Sequence, residues 1–153
     1  MELNCKIKVS AAVSQNNNSD LLKPIEVASG AFSDTKHYSG MTTEALYSIL
    51  LYGTRDGRIP ARNVLELLLF FAERNTDRLG EIYAQNIQNG IDAVGHAAGS
   101  FLNNQHVNFI QGFISPHNAP STIAKKGFDK PFIDRGELIS QIFYSINGEG
   151  RYK

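Results

Sequence analysis

Cysteine is nearly absent from this chain: Cys5 is the one thiol in 153 residues. A lone cysteine excludes an intramolecular disulfide framework and any metal site built from cysteines alone. Surplus charge is absent too, since 15 Lys and Arg balance 15 Asp and Glu. Proteins that hold DNA or RNA by bulk electrostatics carry extra cations for the phosphates, so this balance weighs against that mode and leaves room only for a local basic patch. Long hydrophobic runs are missing as well. The longest apolar block, Val64 to Ala72, is interrupted by Glu66 and is far too short to cross a bilayer. Met1 to Val13 contains Glu2 and two lysines and lacks the apolar stretch of a signal peptide, so a cytoplasmic location is expected. Without such a signal, Asn17-Asn18-Ser19 reads as a polar turn and not as a glycosylation site. What is present, 42% hydrophobic residues, suits one domain. A chain of this size buries roughly 70% of its unfolded surface and needs no disulfide or metal staple.

Periodicity divides the chain into strands at both ends and helices between them. Leu3, Cys5, Ile7, Val9 and Ala11 alternate with polar residues, as in a half-buried strand. After the polar cluster Gln15–Asp20, residues Pro24 to Phe32 return as a second strand with Ile25, Val27, Ser29 and Ala31 on one face. Thr42 is placed to cap a helix whose apolar stripe is Ala45, Leu46, Ile49, Leu50 and Tyr52, with Gly53 as its stop. Pro60 reads as the start of a second helix, Ala61 to Arg74, apolar nearly all round. Thr76-Asp77 reads as the cap of a third helix ending at Gly90. A fourth helix follows over Ile91–Phe113, where Gly95 and Gly99 leave a smooth face for close approach of another element, and where Gly99-Ser100 or Asn103-Asn104 could interrupt it. Ser121 caps a single turn that stops at Gly127, and Asp134 with Glu137 forms a capping-box-like pair before a short helix. Gln141 to Asn147 ends the pattern as a strand. The order predicts an α+β fold, with a small antiparallel sheet of N- and C-terminal strands packed against several helices. The expected organisation is a single domain over 1–153, with a hairpin at about 3–32, a helical body at about 42–127 and a C-terminal helix and strand at about 134–147.

Few side chains form a pattern that could carry chemistry. His37, His96, His106 and His117 are scattered; His96 and His106 share a predicted helix but stand about 15 Å apart along it, too far for one ion. They read as surface or internally satisfied histidines, and Cys5 as a buried, inert thiol. Glu66 and Glu73, about 10 Å apart on one helix, have the separation of an inverting glycosidase pair and read more simply as solvent-facing charges. There is no P-loop, nucleophile elbow or dinucleotide fingerprint. No catalytic, cofactor-binding or metal-binding residue is assigned. Arg55, Arg58 and Arg62 cluster around Ile59-Pro60 and suit bidentate contacts to carboxylates across a protein interface, or equally a solvated charged loop.

Two stretches carry a family resemblance. Tyr52-Gly53-Thr54-Arg55-Asp56-Gly57-Arg58-Ile59-Pro60-Ala61-Arg62-Asn63-Val64-Leu65 resembles the "Tyr-Gly-Thr … Ile-Pro-Ala-Arg-Pro-Phe" segment of tailed-phage tail-completion and neck proteins, the head–tail joining or virion-morphogenesis family. Asn118-Ala119-Pro120-Ser121-Thr122-Ile123-Ala124-Lys125-Lys126-Gly127, followed by Lys130-Pro131-Phe132-Ile133-Asp134-Arg135-Gly136-Glu137-Leu138, resembles that family's C-terminal segment. Order and spacing match, and the resemblance spans roughly Val27 to Ile146. Asn63-Val64 stands where the family favours Pro-Phe, and Arg135 replaces a usual Thr.

The resemblance implies a structural virion protein with neither catalysis nor cofactor. It would form a ring with copies of itself, commonly six-fold, in the neck between a head-completion or adaptor protein and the tail tube or tail terminator. The genome would pass through the channel without specific binding, and no membrane is involved. Within the same class it could serve as a tail terminator or a head-completion adaptor. A small cytoplasmic enzyme or a nucleic-acid-binding domain is the alternative of another class. Neutral charge suits a subunit that surrounds passing DNA without gripping it. Arg55, Arg58 and Arg62 and the Asn-rich hairpin tip are expected at subunit contacts, while Gly53 and Gly127 (helix stops), Pro60 (helix start) and Asp134 (N-cap) are expected to be architectural.

Overall fold

The computed structural model describes residues 3–10, 23–31, 42–112 and 137–153. The expectations for the Gln15–Asp20 tip, His37, His117, the turn from Ser121 to Gly127 and the Asp134 cap lie outside the described residues, as does nearly all of the second motif.

The fold is α+β, with the sheet drawn from both ends of the chain. Strand β1 (Asn4–Val9) pairs antiparallel with β2 (Ile25–Ala31), setting Cys5 opposite Ser29 and Val9 opposite Ile25. β2 pairs antiparallel with β3 (Ile142–Ile146), setting Ser29 opposite Tyr144, and β3 pairs with β4 (Glu149–Tyr152), so the strand order is β1-β2-β3-β4. Alternation decides which face is inside. Cys5, Val9, Ile25, Val27, Ser29, Ala31, Ile142 and Tyr144 share the buried side, while Lys6 and Lys8 point away from it into solvent.

Among the described residues five helices join this sheet: α1 (Thr43–Tyr52), α2 (Val64–Arg74), α3 (Thr76–Asn86), α4 (Ile91–Gly112) and the short α5 (Glu137–Ser140). The unbroken α4 crosses β2 and β3 and is the centre of the core, burying Val94, Ala98, Leu102 and Ile110. Its close approach depends on two glycines. A Cβ on Gly95 would come within 2.9 Å of Ile25 and Ile146, and one on Gly99 would run into the Tyr144 ring. The smooth face expected from sequence therefore packs on the sheet of its own chain. Among the described elements, α2 lies against α4 and β1, α3 lies against α4, and α1 touches β2 and α5.

Several boundaries differ from the periodicity reading. Pro60 does not start α2; the helix begins at Val64, where the Asn63 side chain accepts from the Glu66 N–H at 3.2 Å. Residues 60–62 are used instead to bring the chain back onto the end of α1. Thr76 does not cap α3 either. Its hydroxyl donates to the Glu73 carbonyl at 2.7 Å, and the Asn75 side chain donates to the Phe71 carbonyl at 2.7 Å, so both residues satisfy the end of α2. α3 stops at Asn86, a single 3-10 turn covers Ile87–Asn89, and Gly90 follows with φ of 103°. On α1 the fully buried pair is Tyr47 and Leu51, whereas Ala45 and Tyr52 of the expected stripe are exposed. The C-terminal strand is one arm of a hairpin whose turn residues, Asn147 and Gly148, have φ of 51° and 78°. That pair of positive angles is the signature of a type I′ turn.

Candidate functional site

The first motif folds as one closed loop. Gly53 ends α1, donating to the Ile49 carbonyl at 2.7 Å, with φ of 73°. It is confined as well as twisted, because a Cβ there would meet the Ile59 carbonyl oxygen at 2.6 Å and the Ala61 nitrogen at 2.8 Å. Thr54 N–H donates to the Ile59 carbonyl at 2.9 Å, and Ile59 N–H donates to the Thr54 hydroxyl oxygen at 3.1 Å. The Thr54 hydroxyl donates to Asp56 Oδ1 at 2.7 Å, and the Arg58 N–H donates to the same oxygen at 3.1 Å. These bonds, the Thr54 hydroxyl foremost, hold the Asp56 carboxyl below its ordinary pKa. The loop is thus built by bonds within the chain itself.

This loop separates the three arginines. Arg55 and Arg58 are exposed at its tip, and Arg58 forms a 3.4 Å ion pair with Asp56 that solvent screens. Arg62 is 3% exposed, and its backbone N–H donates to the Leu50 and Leu51 carbonyls at 3.0 and 3.1 Å. Two arginines are therefore available to a partner surface, while the third locks the loop onto α1.

A buried polar chain is the feature that periodicity did not reveal. Tyr47 on α1, Ser29 on β2, and Asn103 and His106 on α4 are each 4% exposed or less. The Ser29 hydroxyl donates to Asn103 Oδ1 at 2.7 Å and lies 2.9 Å from His106 Nδ1, while the Tyr47 hydroxyl lies 2.5 Å from His106 Nε2. Because the Ser29 hydrogen goes to Asn103, its oxygen accepts from Nδ1–H, which leaves Nε2 bare to accept from Tyr47. The order Tyr47→His106→Ser29→Asn103 sets one tautomer of a neutral imidazole. Burial pushes the His106 pKa down to about 3 and raises that of Tyr47 well above its ordinary value. No member of the chain reaches solvent, so it is internal architecture. A sequence signal was available: Asn103 and His106 are three apart on the helix face that also carries Gly95, Gly99 and Leu102.

The other candidates fall into place individually. Cys5 is buried, and desolvation first, then the charge of Glu73, raises its pKa to about 11, which leaves it an unreactive thiol. His96 is exposed; its Nδ1 lies 2.9 Å from the Tyr144 hydroxyl, and its ring meets that of Tyr152 edge-on at 4.7 Å. Glu66 and Glu73 face solvent. Among the described residues, a depression lined by Leu3, Thr42, Glu44, Ala45 and Ser48 holds no histidine, cysteine or cation. Among the described residues no group of three or more His, Cys, Asp or Glu is placed to hold a metal ion, and no helix is long and apolar enough to cross a membrane.

The outer surface of α2 is distinctive. Val64, Leu65, Leu68 and Ala72 are buried against the core, yet Leu67, Leu69 and Phe70 are 39%, 40% and 47% exposed. The helix therefore carries apolar side chains on both its inner and its outer face, directly after the arginine loop. Neither protein-family models, curated proteins nor solved structures provide a match to this chain.

Proposed function

We propose that this chain is a structural subunit of a tailed-phage virion, a tail-completion or connector protein that joins copies of itself into the neck ring between head and tail. The observation that carries this reading is the ordered pair of motifs, Tyr52–Leu65 and Asn118–Leu138, with their resemblance to the neck family. The geometry supports self-association. Leu67, Leu69 and Phe70 display apolar surface that gains by being covered, and the self-bonded loop before them presents Arg55 and Arg58 without first having to be ordered. Zero net charge is compatible with a ring through which DNA passes freely. In this reading the protein resides in the virion after assembly in the host cytoplasm, and its partners are further copies of the chain, a head-completion or adaptor protein, and a tail tube or terminator protein.

Native mass spectrometry tests the proposal. A closed ring of identical subunits, alone or with adaptor and tail proteins added, is the expected species. A persistent monomer in the presence of those partners contradicts it, and salt-dependent DNA binding by the monomer would favour a nucleic-acid-binding domain instead.

A further inference from the structure

We propose that the Tyr47–His106–Ser29–Asn103 chain is an acid-operated latch for α1: protonation of His106 releases α1 from α4 while the sheet and α4 remain folded. The inference rests first on where the ties lie. Among the described elements α1 touches β2 and α5, whereas α4 is embedded across β2 and β3 and flanked by α2 and α3. The bond from the Tyr47 hydroxyl to His106 Nε2 is a direct polar tie from α1 to the central helix, and Tyr47 and Leu51 are the side chains that α1 buries completely.

The second ground is the chemistry facing the imidazole. From α1 it meets the neutral Tyr47, from β2 the neutral Ser29, and on its own helix the neutral Asn103. Among the described residues two further titratable groups act on Tyr47, and burial is what acts on the imidazole. They are the Cys5 thiol on β1 and the Tyr52 phenol at the end of α1; Glu73 on α2 acts in turn on Cys5. Among the described residues His106 is bonded to Ser29 and Tyr47 and to no carboxylate. A proton on Nε2 therefore creates a buried cation with no counter-charge among the described residues and takes away the acceptor that holds the Tyr47 hydrogen. Moving α1 aside gives the cation access to water and restores an ordinary imidazole. Protonation and release are thus linked, and the opening equilibrium rises up to about tenfold for each pH unit below the ordinary histidine range.

Native-state hydrogen exchange on the full chain tests this. Between pH 6.5 and 4.5 the opening constants of the Tyr47–Leu51 amides, corrected for intrinsic exchange, are expected to rise by up to about fiftyfold relative to those of Leu102–Ile110. In His106→Gln the same amides should lose this pH dependence. Tyr47→Phe, which keeps the aromatic ring and the histidine, should open more readily near neutral pH and keep the slope. Equal changes in α1 and α4, an α1 opening constant that ignores pH, or an unchanged slope in His106→Gln would each overturn the proposal.

Discussion

Three residues show how strongly position outweighs residue type. Arg62, only a few positions from Arg55 and Arg58, is 3% exposed where they are exposed. Arg62→Ala is therefore expected to destabilise the monomer by about 1–3 kcal/mol through lost packing and lost polar partners, while Arg55→Ala and Arg58→Ala stay within about 0.5 kcal/mol. Urea denaturation of the three variants checks this, and equal stabilities would count against the assignment. Gly53 is the second case. Its φ of 73° and the Ile59 carbonyl at 2.6 Å from a Cβ position leave Ala both strained and crowded, so Gly53→Ala should cost about 1–3 kcal/mol in the same assay. His106 is the third. Its folded pKa of about 3 lies below the unfolded value of 6.5, so below pH 6.5 the unfolded chain takes up a proton that the folded chain does not. Its contribution is complete above pH 6.5 and drains away from there down to pH 3, at up to about 1.4 kcal/mol per pH unit. Unfolding free energies at pH 7 and pH 5 should therefore diverge more in the wild type than in His106→Gln.

At the scale of elements, residue alternation made the strands legible, even though β2 is buried on both faces. The alternations Cys5-Ile7-Val9 and Ile25-Val27-Ser29-Ala31 placed β1 and β2 correctly, and Gly95 with Gly99 correctly marked a close approach. What stayed hidden depended on contacts between distant segments. Nothing local to α1 says that Tyr47 faces inward; its buried partner, His106, is 59 residues away. The start of α2 was missed because Pro60 offers a favourable first-turn φ, whereas the fold uses residues 60–62 to close a loop and leaves the cap to Asn63. β4 was missed although Asn147-Gly148 is a recognised hairpin signal, because Glu149–Tyr152 is too short and polar to show periodicity and is exposed throughout. Asn63→Ala should remove the α2 cap at a cost of about 1 kcal/mol. Circular dichroism melts at neutral pH can resolve the loss as a shift of several degrees.

For the whole molecule, the central claim is assembly. The described core leaves out Leu67, Leu69 and Phe70, which stay partly exposed as an apolar surface on the outer face of α2. A ring requires two different patches per subunit that close on one another, and the outer face of α2 together with the arginine loop is proposed as one of them. The Tyr47–His106 latch is independent of this claim, because it lies inside one subunit. The most direct measurement is sedimentation velocity on the wild-type chain and on Phe70→Glu, with monomer stability followed in parallel. The account predicts a ring-sized species for the wild type and a monomer of unchanged melting temperature for Phe70→Glu. A wild type that sediments as a monomer at every concentration, or a Phe70→Glu variant that still assembles, would contradict it.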